Sequence, residues 1–447
     1  MQIERQPVVA IVGRPNVGKS TLFNRLIRER KAIVGDRPGV TVDRLEADCL
    51  INEHTATLVD TGGIGEPQHG EMQSAIDAQV DAALEVADVV LFVVDGPAGL
   101  TPVDTSIADR LRRQQLPVVL AVNKAENPDT AVEFYSLGME PCAISAIHGQ
   151  GIQELRQQLE TVLPAWKPSE DVVQPYASLA VIGRPNVGKS TLINAWLGVD
   201  RMVVSPVAGT TRDAIDSEIT YKGHRVRLVD TAGQRKQGRI NDVIEFVARV
   251  KAQQAFKRAD AAVMVVDGSR EIAEQDMRLM ALAHESGCAL VVAVNKVDVM
   301  TDEAWSYFKE RLAFRMRSLD DVKVLRISAA EKKGIRKLLD TAVQAAQLNR
   351  AEWGTGELNR WLEHAQQMQP APSDDGAVVK LKYCTQLFSS PPTLKIFCNR
   401  PKGVKKSYVR YLEHHFRNTF KLPGVPVRFI FAATENPYGE KRKRKRD

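Results

Sequence analysis

The strongest constraint on the fold is a ten-residue sequence that the chain contains twice. Residues 13–22 read GRPNVGKSTL, and residues 183–192 repeat the same letters. Shorter motifs recur in the same order: DTGG at 60–63 with DTAG at 230–233, NK at 123–124 with 295–296, and SA at 145–146 with 328–329. Their spacing lies between 170 and 183 residues, which is typical of duplicated domains rather than of a solenoid. The sequence therefore predicts two copies of one domain in tandem.

Within each copy, short apolar runs alternate with amphipathic stretches. The first copy contains VVAIVG, ATLVDTGG and VVLFVVDG, and the second contains SLAVIG, AAVMVVDG and LVVAVNK. Continuous Val, Ile and Leu without polar alternation predict strands that are buried on both faces of a parallel sheet. We therefore expect the α/β class, with two doubly wound, mostly parallel sheets that bind ligands at the carboxyl ends of their strands.

The last fifth of the chain follows a different pattern. Residues 355–447 contain 18 Lys and Arg against 8 Asp and Glu, a balance that predicts a polyanionic partner for this part. Strand candidates lie at 378–384, 393–398 and 427–433, and a helix candidate lies at 357–367. A second helix is predicted because apolar side chains recur every four residues, at Tyr408, Leu412, Phe416 and Phe420. The order α-β-β-α-β predicts a small α+β domain with helices on one face of its sheet.

These patterns divide the chain into segments. We expect a first domain at 1–166, a proline-containing linker at 167–176, a second domain at 177–352, a C-terminal domain at 353–440 and a disordered basic tail at 441–447. No apolar run approaches the roughly 20 residues that span a bilayer, and the N-terminus has no signal-peptide pattern. Five scattered cysteines suit neither a disulfide framework nor a zinc site. The sequence thus predicts a cytoplasmic chain with no membrane partner.

The duplicated sequence fits the phosphate-binding loop G-x4-G-K-S, because in each copy it follows a predicted strand and precedes a predicted helix. The lysines, Lys19 and Lys189, would reach the β- and γ-phosphates, and the serines, Ser20 and Ser190, would hold Mg²⁺. The motif alone does not distinguish ATP from GTP. The predicted loop residues are Gly13, Arg14, Pro15, Asn16, Val17, Gly18, Lys19 and Ser20, and Gly183, Arg184, Pro185, Asn186, Val187, Gly188, Lys189 and Ser190.

The DTxG motifs follow the phosphate-loop lysine by 41 residues in both copies. Their aspartates, Asp60 and Asp230, would hold Mg²⁺ through water, and their last glycines, Gly63 and Gly233, would donate an N–H to the γ-phosphate. Thr41 and Thr211 follow the same lysines by 22 residues and suit a mobile loop that closes over Mg²⁺. Thr210 is a near-equal candidate, and ordinary loop threonines are the alternative. The remaining predicted contacts are Thr61, Gly62, Ile64, Thr231, Ala232 and Gln234.

The residues at 295–298 predict guanine as the base. A carboxylate at Asp298 can accept hydrogen bonds from guanine N1–H and N2–H₂, a donor pair that adenine lacks. Asn295 can bond N7, the Lys296 stem can cover the ring, and the pair Ser328-Ala329 can supply an N–H to O6. The first copy has Glu126 in place of aspartate, so we expect weaker or less selective binding there. The set is Asn295, Lys296, Val297, Asp298, Ser328 and Ala329, with Asn123, Lys124, Ala125, Glu126, Ser145 and Ala146 in the first copy.

With these motifs the chain resembles the Der (EngA) family of bacterial double GTPases, which act in assembly of the large ribosomal subunit. The duplicated GRPNVGKSTL carries most of the resemblance, and PPTLKIFCNRP and SYVRYLEHHF resemble the family's C-terminal KH-like domain. The resemblance implies GTP hydrolysis to GDP with Mg²⁺, assisted by a K⁺ ion that Asn16 and Asn186 help to hold. It also implies the large ribosomal subunit and its rRNA as partners, bound according to nucleotide state. We expect no DNA partner and a free monomer.

Three further features of the sequence lead to separate expectations. The C-terminal region lacks a GxxG loop, so the KH label alone does not imply the nucleic-acid clamp of that fold. Gln234 stands where relatives have an apolar residue, and it either orients the attacking water or faces solvent. Val42 stands where relatives carry arginine, whereas Arg212 matches. Together with Glu126, Val42 leaves open an alternative in which the first domain is a degenerate regulatory module and only the second hydrolyses GTP.

Overall fold

The computed structural model describes most of the chain. The described residues are 6–34, 46–52, 54–63, 72–164, 175–198, 205–206, 216–229, 241–317, 321–373 and 377–433. They belong to two compact units. The first comprises residues 1–174, 207–215 and 232–255, and the second comprises residues 175–206, 216–231 and 256–447. Among the described helices, none has the length and apolar character needed to cross a membrane.

The first unit contains a six-stranded sheet in the order β2-β3-β1-β4-β5-β6. Only the β2–β3 pair is antiparallel. Side chains of β1 alternate between two hydrophobic clusters, with Val9 and Ile11 in one and Ala10 and Val12 in the other, so this strand is buried on both faces as predicted. The strands are β1 (Val8–Val12), β2 (Glu46–Ile51), β3 (His54–Asp60), β4 (Val89–Asp95), β5 (Val118–Asn123) and β6 (Pro141–Ala143). The helices are α1 (Lys19–Val34), α2 (Met72–Val86), α3 (Pro102–Arg113) and α4 (Ile152–Val162).

The second unit repeats this sheet and extends one edge. Its strand order is β13-β12-β11-β7-β10-β9-β8; the strands from β13 to β10 are parallel, and β9 and β8 are antiparallel additions. The strands are β7 (Ala177–Ile182), β8 (Ser205–Pro206), β9 (Ser217–Tyr221), β10 (His224–Val229), β11 (Ala261–Asp267), β12 (Ala289–Asn295) and β13 (Lys323–Arg326). The helices are α5 (Lys189–Leu197), α7 (Glu274–Glu285), α8 (Asp302–Arg315) and α9 (Ile335–Asn349). Helix α6 (Asn241–Arg258) belongs to the first unit as far as residue 255. The predicted fold class is thereby confirmed.

A three-stranded sheet with two helices completes the second unit. Its elements are α10 (Thr355–Met368), β14 (Leu381–Ser389), β15 (Pro392–Cys398), α11 (Lys406–Phe420) and β16 (Arg428–Ala433). The predicted order α-β-β-α-β is therefore confirmed. Strand β15 lies in the middle, antiparallel to β14 and parallel to β16. Both helices cover one face of the sheet, where the rings of Trp361 and Phe429 stack with centroids 5.7 Å apart and Phe416 meets Trp361 edge-on at 4.9 Å.

The first strand of this small sheet was predicted too early in the chain. Strand β14 begins at Leu381 rather than at residue 378 and continues to Ser389. The reason is Asn399, whose side chain accepts a hydrogen bond from the Lys380 N–H and donates one to the Val378 carbonyl. These bonds satisfy the backbone of 378–380 without a ladder, whereas the residues after Cys384 continue to pair with β15.

The C-terminal domain packs on the start of strand β12. The Leu290 N–H donates to the Gly424 carbonyl at 2.8 Å, and a Cβ atom at Gly424 would lie 2.3 Å from the Leu290 carbonyl oxygen. Glycine is required there because its φ is also +69°. Nearby, the fully buried Asn349 donates to the carbonyls of Asp260 and Gly287 at 2.9 Å. The same strand therefore joins this contact at one end to Asn295 at the other.

Candidate nucleotide-binding sites

Both predicted phosphate loops lie where a strand meets a helix. The first connects β1 to α1, which begins at Lys19, and the second connects β7 to α5, which begins at Lys189. Left-handed backbone curls each loop, with φ of 67° at Asn16, 96° at Gly18 and matching values in the second copy. A Cβ atom at Gly18 would lie 2.2 Å from Nδ2 of Asn123, so only glycine fits. This curl turns successive N–H groups toward one point and suits an anion.

The loop lysines fold over the loops that carry them. Lys19 donates its ammonium to the carbonyls of Gly13 and Arg14 at 2.7 and 2.8 Å, and Lys189 makes the same pair of bonds at 2.8 and 2.6 Å. Burial lowers the pKa of Lys19 although Asp60 opposes the shift. Burial also lowers the pKa of Lys189 to about 8, opposed by Asp276. A poorly solvated ammonium at this point favours an arriving phosphate, whose negative charge would stabilise the charged form of the lysine.

The first copy brings the predicted Mg²⁺ residues together. The Ser20 hydroxyl donates to Oδ2 of Asp60 at 2.7 Å, and the Gly62 N–H donates to Oδ1 of Asp60 at 2.8 Å. Asp60 is the last residue of β3, as predicted, and is 1 % exposed. Mg²⁺ prefers oxygen ligands and is usually held by one or two protein groups plus phosphate oxygens and water. The hydroxyl and carboxylate of this pair fit that ion.

Several predicted contacts fall outside the described residues. In the second copy Ser190 lies in the first turn of α5, whereas Asp230 comes directly after β10 and outside the described part of the chain. The other predicted site residues that lie outside the described part of the chain are Thr41, Ile64, Thr211, Thr231, Ala232, Gly233 and Gln234. Their contacts with Mg²⁺ and the γ-phosphate stay predictions, as do the differences expected from Gln234 and Val42.

The buried asparagines connect the phosphate loops to the predicted base-binding residues. Asn295 donates to the Val187 carbonyl at 2.8 Å and accepts from the Ala329 N–H at 2.9 Å; Asn123 makes the equivalent bonds in the first copy. The second Nδ2 hydrogen is available for the predicted bond to guanine N7. Since the Ala329 N–H already serves Asn295, its predicted bond to O6 stays a prediction.

The next residue in each motif is a lysine that reaches an aspartate. Lys296 lies 2.7 Å from Oδ2 of Asp267, the last residue of β11, and Lys124 lies 2.6 Å from Asp95, the last residue of β4. Burial alone would raise the pKa of Asp267, but hydrogen bonds from Lys296 and Ser269 outweigh it and hold that pKa below its ordinary value. The ion pairs hold the two lysine ammonium groups at the carboxyl ends of β11 and β4. That the lysine stems cover the base stays a prediction.

The two copies differ at the carboxylate that would select guanine. A hydrogen bond from the side chain of Ser328, the serine of the SA motif, holds the pKa of Asp298 below its ordinary value. In the first copy, Oε1 of Glu126 instead lies 3.7 Å from Nε2 of His148, and both side chains are exposed. The additional methylene therefore places the Glu126 carboxylate in a different environment.

Sequence reasoning missed a buried ion pair beneath each phosphate loop. Nε of Arg14 lies 3.1 Å from both carboxylate oxygens of Asp104, and Nε of Arg184 lies 2.9 and 3.0 Å from those of Asp276. Both aspartates are fully buried and accept backbone N–H groups at the starts of α3 and α7. A signal existed, because Asp104 and Asp276 are separated by 172 residues, the spacing that also relates Asn123 to Asn295.

We expect Asp276→Ala to destabilise the second unit by about 2 kcal/mol and to weaken its nucleotide binding. Removing one partner of a buried pair leaves an uncompensated charge, reduced here because the Arg184 side chain is 22 % exposed, and the helix also loses its cap. Thermal melting and nucleotide titration measure both effects. Glu274→Gln, on the same helix in an exposed pair with Arg278, is the matched control. A melting midpoint equal to that of the control would contradict the assigned role.

Comparison with known proteins gives a consistent match along the chain. Residues 8–124 and 178–296 match the family model "50S ribosome-binding GTPase", and residues 353–432 match the "KH-domain-like of EngA bacterial GTPase enzymes, C-terminal" model. The chain is similar to "GTPase Der" of Solidesulfovibrio magneticus, with 43 % identity across 97 % of this chain and all of that one. It is also similar to "GTPase Der" of Symbiobacterium thermophilum, with 42 % identity across 96 % of this chain and 93 % of that one, and of Rhodopseudomonas palustris, with 40 % identity across 98 % and 99 %.

Proposed function

The chain belongs to the GTPase Der family, and from this premise we propose that it helps to assemble the large ribosomal subunit in the cytoplasm. It is a GTPase with two tandem GTPase domains, and hydrolysis yields GDP and phosphate. In this proposal, bound nucleotide switches the affinity of the chain for the large subunit and its rRNA. The chain works as a monomer with no DNA or membrane partner.

The proposed roles of the site residues follow from charge and position. Attack of water on the γ-phosphate needs fixed donors where negative charge develops. Lys19 and Lys189 supply one such donor per domain, and Asp298 selects guanine in the second domain. Mg²⁺, held through Ser20 and Asp60, would neutralise charge on the β- and γ-phosphates. The exposed Asn16 and Asn186 are the proposed K⁺ ligands.

The ribosomal part of the proposal rests on two properties of the C-terminal domain, its positive charge and its contact with strand β12. Residues 355–447 carry a net charge of about +10, whereas the rest of the chain is net negative, and such charge attracts rRNA phosphates regardless of sequence. The domain docks on β12 through Leu290 and Gly424, and the same strand ends at Asn295 of the guanine motif. In this proposal RNA and nucleotide would act on the two ends of one strand, which supports control of RNA binding by nucleotide.

Pelleting assays with purified ribosomal subunits test the proposal. We expect the fraction bound to large subunits to differ at least severalfold between GDP and a nonhydrolysable GTP analogue, and to fall as salt rises. Small subunits carry similar phosphate density and serve as the control for unselective attraction. Equal binding in all nucleotide states, or equal binding to both subunits, would contradict the proposal.

A second candidate function concerns the first domain alone. The Glu126 carboxylate lies near His148, unlike Asp298 with its serine partner. This difference favours a version in which the first domain binds guanine nucleotide weakly and regulates the second. Turnover measured separately for each domain decides between this version and two equal GTPases.

A further inference from the structure

The sheet of the C-terminal domain has one face that its own helices do not cover. Buried Cys384 and Ile396 point toward α10 and α11, and their strand neighbours Tyr383 and Phe397 point the opposite way because successive side chains alternate. We call this second surface the aromatic face; it consists of Tyr383, Thr385, Lys395, Phe397 and Ile430. Every one of its residues keeps at least part of its surface exposed.

Two rings at the centre of the aromatic face lie flat against each other. The ring centroids of Tyr383 and Phe397 are 4.2 Å apart with planes inclined by 15°, and Tyr383 remains 39 % exposed. Nζ of Lys395 lies 4.9 Å from the centre of the Phe397 ring. The stack therefore offers a flat aromatic surface with a cation at its border.

The charge around the stack has one sign. Strands β14, β15 and β16 contain no Asp or Glu. Lys395 lies on the aromatic face, whereas Arg428 of β16 donates to the Glu285 carbonyl. Lys380, directly before β14, is exposed. An aromatic surface bordered by lysines complements a chain that combines flat rings with phosphates.

We propose that the aromatic face binds single-stranded RNA, with an unpaired base stacked on Tyr383 and the adjoining phosphates near Lys395. The inference rests on the proposed ribosomal function and names where and how RNA is held. Unpaired bases are the occupant because a duplex hides the flat surfaces of its bases. Aromatic side chains on an open sheet are a general means of stacking RNA bases. The face thus supplies a binding mode to a domain that has no GxxG loop.

The test uses the full-length chain and a uridine-rich RNA of about 12 nucleotides that carries one 2-aminopurine, whose fluorescence falls when it stacks on an aromatic ring. We expect Tyr383→Ala to weaken binding roughly tenfold and to abolish the quenching. Tyr383→Phe keeps the ring and should bind within about twofold of the parent. Lys395→Gln should weaken binding and reduce the salt dependence by about one phosphate contact.

Tyr307→Ala is the matched control, because Tyr307 is also exposed, at 58 %, but lies on α8; it should bind RNA like the parent. GTP turnover equal to that of the parent shows that a variant is folded.

The proposal is overturned if the chain binds no such RNA, if Tyr383→Ala binds normally, or if duplex RNA competes as well as single strands. If the chain binds RNA through the Tyr383 ring but does not bind ribosomal subunits, the result supports the RNA assignment of the aromatic face and rejects the proposed function. Loss of subunit binding by Tyr383→Ala with normal RNA affinity would indicate a protein partner and overturn the RNA assignment.

Discussion

Replacing Lys189 with alanine is expected to lower GTP hydrolysis by the second domain roughly 10³-fold, the scale on which one lost donor to developing charge acts. The ammonium already lies within the loop, bonded to the carbonyls of Gly183 and Arg184. Nothing else among the described loop side chains places a positive charge there. Because the first domain is also a GTPase domain, turnover is measured with and without Lys189→Ala in a chain that already carries Lys19→Ala.

The Lys189→Ala variant should still fold, because the buried Lys189 ammonium contributes no net stabilisation to the folded chain. Burial lowers the pKa of Lys189 to about 8, so the folded chain binds the proton less tightly than the unfolded chain does. The resulting penalty is full below pH 8 and disappears as pH rises toward the ordinary lysine value. Alanine removes that penalty at neutral pH together with the two hydrogen bonds of the ammonium. Because these two effects oppose each other, melting should change little. Lys222→Ala, which removes an exposed lysine paired with Asp340, is the control. Turnover unchanged by Lys189→Ala would reject its assigned role, and equal losses from Lys19→Ala and Lys189→Ala would reject the asymmetric version.

Asp298→Asn is expected to weaken guanine nucleotide binding by the second domain about 10²- to 10³-fold. The substitution replaces an acceptor of two charge-assisted hydrogen bonds, each worth about 1.5–3 kcal/mol, by an amide that presents a donor to the N2–H₂ donor of guanine. Xanthine has an oxygen at that position and should bind the variant better than guanine does. Titration with fluorescent GDP and XDP measures both effects. Asp302→Asn, four residues later and 90 % exposed, is the control, and guanine affinity equal to the control would contradict the assignment.

The first domain provides the reverse experiment. Glu126→Asp shortens the side chain, moves the carboxylate away from His148 and gives it access to Ser145, the counterpart of Ser328. We expect guanine affinity of the first domain to rise by roughly tenfold, about the worth of one hydrogen bond to a charged group. The measurement is made in a Lys189→Ala chain, where the second domain contributes least. No gain would show that Glu126 already reaches the base.

The phosphate loops could be predicted from the sequence because their form depends on the backbone preferences of adjacent residues. The loop around Lys19 needs left-handed glycine and asparagine between a strand and a helix, and all of these are adjacent in the chain. The partners of Arg14 and Lys124 are instead Asp104 and Asp95, distant residues that meet only after the sheet forms. Likewise, periodicity predicted a strand from residue 378, whereas the side chain of Asn399 displaces its start. The sequence shows that Glu126 differs from Asp298, its counterpart in the second copy. It could not show that the Glu126 carboxylate lies beside His148.

The hydrogen bonds of Asn349 have a practical consequence for dissecting the molecule. This side chain lies at the end of α9, four residues before the C-terminal family match begins, and connects carbonyls of the second sheet region to Ser390 Oγ. A deletion placed between α9 and α10 would remove the Ser390 partner of Asn349 and leave the Leu290 N–H without its acceptor. Fragments intended to fold alone should therefore keep the second GTPase domain and the C-terminal domain in one piece.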